Sequence, residues 1–114
     1  MSLNTTIEGI EGGQLLRVMG RLDSATAAAL EPPLLEPFNV EGARILVDFG
    51  ALNYVSSAGL RVILMGAKKA RETRGRLVLC SLQPHVAEVF EMSGFTRIVD
   101  IVQDETAGRQ RIAG

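Results

Sequence analysis

The sequence predicts an α/β fold built on a mixed sheet, and three observations carry that prediction. A glycine-centred pair of alternating segments opens the chain, short and mostly apolar runs follow at 45–49, 77–82 and 97–102, and helical patterns separate those runs. The opening pair, 4–10 and 14–20 joined across Glu11, Gly12 and Gly13, reads as an antiparallel hairpin with Leu16 and Val18 on one face. Asp23 and Ser24 then offer side-chain oxygens to the free N–H groups of a helix over 25–30, which Pro32 and Pro33 are expected to stop or kink. The run 45–49 is too short for a helix and typical of a strand covered on both faces, although Asp48 interrupts it. Strand, helix, strand, helix, strand implies parallel pairing through right-handed crossovers. The helix before the last strand starts at Pro84, places Val86, Val89 and Phe90 at core spacing and ends at Gly94. About four helices are expected in all. Residues 103–114 are polar apart from Ile112 and read as a short final helix or a loose tail.

Length and composition bound the function. The 114 residues, 46 % hydrophobic and 22 % charged, suit a single domain spanning 1–114 with its core over about 4–102. Such a chain buries roughly two thirds of the surface it exposes when unfolded, so it needs no metal or disulfide staple. The single cysteine, Cys80, agrees. A formal net charge of −1 gives no basic field for nucleic acid or an anionic membrane surface. No apolar run approaches the length of a membrane span and no secretion signal opens the chain, so the cytoplasm is the expected compartment. One His, one Cys and no Trp leave few groups for proton transfer or nucleophilic attack.

The informative segment begins at Asp48, and its helical periodicity starts abruptly after Ser56 and Ser57. At about 100° per residue, Leu60, Ile63, Gly66, Ala67 and Ala70 share an inner side with Val62 at its edge, while Ser57, Arg61, Met65, Lys68 and Glu72 form an outward stripe. Gly59 and Gly66 each cost roughly 1 kcal/mol of helix propensity relative to Ala, which implies close approach to the sheet. Ser57 falls at the start of the stripe, where the positive end of the helix dipole tolerates an anion such as a phosphate. Either serine also suits the plainer role of N-cap. The basic residues Lys68, Lys69, Arg71 and Arg74 complement the helix C-terminus, and Met65 is an adaptable apolar side chain on a polar stripe.

The stretch LVDFGALNYVSSAGLRVIL resembles the central strand, loop and helix of STAS domains, a fold shared by bacterial anti-sigma factor antagonists and the cytoplasmic domain of sulfate transporters. GRLDSATA at 20–27 and LQPHVAEVFEMSGFTRIVDI at 82–101 resemble further segments of that family in the same order. The resemblance implies a phosphorylatable docking module. It places the phosphoacceptor on Ser57, puts Ser56 where many members carry Asp, and sets Asp23 beside them in the site lining; Asp48 joins that lining through its place near the strand end where sites of open α/β sheets gather, with capping or lining of the loop as its plainer role. It implies an anti-sigma factor serine kinase as partner, docking on Ala58, Gly59, Leu60, Arg61, Met65 and Lys68, and a serine phosphatase that resets Ser57. Phosphate would add about −1.5 to −2 charges to that surface and block docking. No cofactor is expected in this chain, which lacks a Gly-rich phosphate loop; ATP and Mg²⁺ would come with the kinase.

Two other readings compete. One is a STAS subunit of a lipid-transport or stress-signalling assembly that does not regulate a sigma factor. The other is a small serine hydrolase with Ser57 as nucleophile and His85 as base, but Ser57 does not sit in G-x-S-x-G and His85 belongs to a distant helix start. Cys80, inside an apolar strand, reads as core.

Overall fold

The computed structural model describes residues 2–114. The hairpin forms as expected, with β1 (Leu3–Ile10) antiparallel to β2 (Gly13–Leu22) across a tight turn at Glu11 and Gly12. Helix α1 (Ala27–Leu35) and a 3-10 turn (Glu36–Asn39) lead to β3 (Arg44–Val55). Then come α2 (Ser57–Glu72), β4 (Arg76–Cys80), α3 (Pro84–Met92), a second 3-10 turn (Phe95–Arg97), β5 (Asp100–Val102) and α4 (Glu105–Ala113). Among the described residues, five strands make one sheet in the order β1-β2-β3-β4-β5, parallel from β2 onward.

The sheet is covered on both faces, as its nearly continuous apolar central strands require. On one face Leu16, Val18, Ile45, Val47, Leu77 and Leu79 pack with Leu30 and Leu34 of α1, Val62 and Ile63 of α2, and Val86 and Phe90 of α3. Phe90 meets Phe49 with centroids 6.3 Å apart and Phe95 edge-on at 5.7 Å. Each such side chain contributes roughly 1.5–3 kcal/mol through burial. On the other face α4 lays Ile112 over Leu15, Leu46, Val78 and Cys80. The final residues thus form a packed helix, capped where Asp104 Oδ1 accepts the N–H of Ala107.

Three local expectations are corrected. The prolines do not stop α1, which continues through Pro32 and Pro33 to Leu35. The N–H groups they lack would have bonded the carbonyls of Ala28 and Ala29, two residues on the exposed side of the helix, and burial of Leu30 and Leu34 holds the helix to the core. Strand β3 does not end near Phe49 but runs six residues further, because two bulges interrupt its alternation. Arg17 pairs with Asp48 but Met19 with Ala51, and Gly20 pairs with Leu52 but Arg21 with Tyr54, so β3 carries one extra residue at each step. The third run, 97–102, is a strand only at its end, since Phe95–Arg97 turns as a 3-10 helix that seats Phe95 beside Phe90.

Candidate functional site

The parallel strands β2 and β3 end side by side, Leu22 opposite Val55, and the two chains leave the sheet together. The Ser56 N–H donates to the Leu22 carbonyl at 2.9 Å, which ties the start of α2 to the end of β2. Beyond Leu22, Asp23 closes a turn: its Oδ1 accepts the N–H groups of Ala25 at 2.9 Å and Thr26 at 3.1 Å. Thr26 Oγ1 in turn donates to the Arg21 carbonyl at 2.7 Å. Partial burial raises the Asp23 carboxyl, but the Ala25 and Thr26 N–H groups, the Thr26 hydroxyl and Arg21 outweigh it and hold the group below its ordinary value.

The two serines divide the roles that spacing left open. Ser56 is extended and its Oγ accepts the Gly59 N–H at 3.2 Å, so Ser56 is the N-cap. Ser57, the first residue of α2, is exposed. The whole outward stripe is exposed as its spacing requires: Ser57, Arg61, Met65, Lys68 and Glu72, with Met65 38 % accessible. Ala58 and Leu60 are partly buried against the core. Gly59 is buried, and a Cβ there would lie 2.6 Å from the Leu22 side chain and 3.1 Å from its carbonyl oxygen. Gly59 therefore seats α2 and offers no outward side surface, a correction to its place among the docking residues. Gly66 makes its close approach to Leu34 of α1, not to the sheet.

Asp48 requires a second correction. It points to the α4 face, where its Oδ2 accepts from Arg17 at 2.5 Å and its Oδ1 from the Gly50 N–H at 2.8 Å. Arg17 also donates to Glu105 of α4 at 2.9 Å. Asp48 thus belongs to an ion network opposite α2 rather than to the lining of Ser57, because it shares the phase of Leu46 in β3 and precedes both bulges.

Other residues border this edge unannounced by any sequence pattern. The Arg21 guanidinium lies over the Tyr54 ring, 4.3 Å from its centroid, with its Nε 3.5 Å from Asp23 Oδ2. His85 Nε2 is 2.6 Å from the Asn53 carbonyl, and Gln83 donates to the Gly50 carbonyl at 3.0 Å, which fastens the end of β3 to the start of α3. Arg21 and Tyr54 meet only through cross-strand register, so neither segment alone signals the stack. Cys80 is buried, and that burial pushes its thiol up to about 11, so it is the core residue its strand suggested. No helix among the described residues is long and apolar enough to cross a membrane.

Together, fold and edge define an α/β domain that presents an exposed helix start at the C-terminal end of its central strands. The chain belongs to the STAS domain family: residues 9–103 match the family model described as Mlab, STAS domain. It is 42 % identical over 105 residues to BtrV of Bordetella bronchiseptica, whose name assigns it provisionally to the anti-sigma factor antagonists; the match spans 92 % of this chain and 90 % of that one. The solved structure of an anti-sigma factor antagonist from Mycobacterium paratuberculosis superposes with a TM-score of 0.89 at 18 % identity, over 99 % of this chain and 96 % of that one. Structures of the Bacillus antagonist SpoIIAA, solved unphosphorylated and phosphorylated, each give a TM-score of 0.73. They are 18 and 19 % identical and cover 97 and 96 % of this chain and 99 % of their own. These likenesses at low identity concern the fold.

Proposed function

We propose that this chain is an anti-sigma factor antagonist that binds an anti-sigma factor serine kinase while Ser57 is unmodified and releases it when Ser57 is phosphorylated. The observation that carries this reading is the division of labour between the serines: Ser56 caps α2, so the exposed Ser57 hydroxyl is free of that duty. The name of BtrV and the two phosphorylation states of SpoIIAA support it. In the transfer, the Ser57 Oγ bonds to the γ-phosphorus of ATP, the bond to ADP breaks, and the hydroxyl proton passes to a base of the kinase. This chain is the substrate.

The docking surface is the stripe around Ser57, with Arg61 and Lys68 as cations, Met65 as an apolar anchor and Ala58 and Leu60 at its inner border. Asp23 borders the same edge through Leu22 and Ser56. A dianion at Ser57 cancels the positive charge of Arg61 and Lys68 on this surface without requiring the fold to change. A serine phosphatase would reset it. All of this lies on one domain, in a cytoplasmic setting.

The test uses an anti-sigma factor serine kinase from the same genome. Incubation with the kinase and Mg·ATP yields one phosphate, mapped to Ser57 by mass spectrometry, and Ser57→Asp lowers complex formation in a pull-down at least tenfold. Absence of phosphate together with undiminished binding by Ser57→Asp overturns the reading. The matched family model is described as Mlab, STAS domain, with no mention of a sigma factor, and that leaves a second reading, a STAS subunit of a lipid-transport assembly. Stable co-purification with a transporter ATPase, insensitive to Ser57→Asp, would select it.

A further inference from the structure

Arg61 stands one helical turn beyond Ser57 on the same exposed stripe, at the i, i+4 spacing that brings side chains together. The positions three and four residues to either side of Arg61 are Ser57, Ala58, Leu64 and Met65, so its own helix gives it no acidic neighbour. Among the described residues no ion pair engages its guanidinium, a state it shares with Arg44, Arg71, Arg74, Arg76 and Arg97, and of these arginines it alone lies on the stripe that begins at Ser57. Nearby amides are partly spoken for: the Ser56 N–H is taken by the Leu22 carbonyl and the Gly59 N–H by Ser56 Oγ. The other charged or titratable groups bordering this edge are Arg21, which holds Asp23 and lies over the Tyr54 ring, Asp23 and Tyr54 themselves, and His85, which is bonded to the Asn53 carbonyl.

We propose that a phosphate on Ser57 is captured by Arg61 across this turn, so that modification withdraws a cation from the docking surface as well as adding a dianion to it. The inference rests on Ser57 being the modified residue, and it deepens the proposed switch by giving it an intramolecular arm. Guanidinium and phosphate form a charge-assisted, often bidentate pair, stronger than a contact between neutral groups. The stripe from Ser57 to Glu72 then changes from about +1 to about −1, and its one unpaired arginine is turned toward its own helix. Aspartate at 57 is shorter and carries a single charge, so it reproduces the repulsion but pairs with Arg61 more weakly than a phosphate does.

The experiment places phosphoserine at 57 by genetic-code expansion, which needs neither kinase nor partner. Phosphorus NMR titration of the full chain gives a second phosphate pKa lower by about 0.3 than in the Arg61→Gln protein, the size expected for an exposed i, i+4 charge pair. Arg61→Lys recovers part of that difference. The Arg61 Nε–H resonance moves further on phosphorylation than it does in Ser57→Asp. Superimposable titrations of the parent and Arg61→Gln proteins, with a stationary Arg61 resonance, overturn the proposal. Absence of phosphate together with undiminished binding by Ser57→Asp would instead overturn the proposed function and leave this measurement intact.

Discussion

The two faces of the sheet are held by different physics. The face under α1, α2 and α3 is closed by interdigitated apolar side chains, with three phenylalanines at its centre. The face under α4 has one apolar peg, Ile112, and a ring of charge: Arg17 between Asp48 and Glu105, Arg109 on Glu105, and Arg111 on Asp100. Arg44 adds a hydrogen bond to the Ile112 carbonyl at 2.8 Å. Apolar burial is insensitive to salt and scales with area, whereas partly exposed ion pairs are worth little each and weaken as ionic strength rises. The helix carrying Ser57 is therefore anchored on the strong face, and α4 is the element most easily loosened.

The largest test of this contrast is Phe90→Ala. Removing a fully buried ring that contacts two others costs about 3–5 kcal/mol, read as a fall in the urea midpoint of the whole domain. Ile112→Ala costs about 2 kcal/mol and acts locally, because this residue is the peg of α4. Its signature is native-state labelling of Cys80 by a thiol reagent, roughly thirtyfold faster than in the parent while the α2 amides keep their exchange protection. If α2 and α4 amides lose protection together, the two faces are one cooperative unit and the contrast is broken.

The smallest effect sharpens the electrostatic side. The Arg17 hydrogen bond, and then that of Arg109, hold Glu105 below its ordinary value of 4.5 against a smaller opposing effect of burial. A carboxyl whose pKa is lower folded than unfolded stabilises the fold above its unfolded pKa, and that contribution disappears as pH falls through the folded value. Glu105→Gln therefore lowers stability by about 0.5 kcal/mol at pH 7 and by almost nothing near pH 2, measured by urea unfolding at both.

Sequence and structure agree where periodicity is unbroken and part where it is not. In α2 a regular 3.6-residue repeat separates Ser57, Arg61, Met65, Lys68 and Glu72 from the core, and all five are exposed. In β3 the inward residues are Ile45, Val47, Phe49, Leu52 and Val55, a rhythm that shifts from two to three because of the bulges. A strand read by alternation stops at the first shift, which is why residues 50–55 escaped. Asp48 was misplaced for a related reason: one strand does not disclose which face of the sheet a side chain will meet. The Arg21 and Tyr54 stack was illegible because register between distant segments is a property of the assembled sheet. Spacing puts Ser57 at the head of the outward stripe but leaves the N-cap open between the two serines, and backbone geometry gives it to Ser56.

The close approach of Gly59 to Leu22 also constrains the history of the chain. One added carbon at 59 would displace the start of α2 from the end of β2, so the height of Ser57 above the sheet depends on an atom that is missing. Alanine at 59 calls for a smaller side chain at 22 together with a shift of the helix start away from the Leu22 carbonyl oxygen. Within relatives that share this edge, the size of the residue ending the second strand should rise and fall inversely with that of the third residue of the helix that Ser57 opens here.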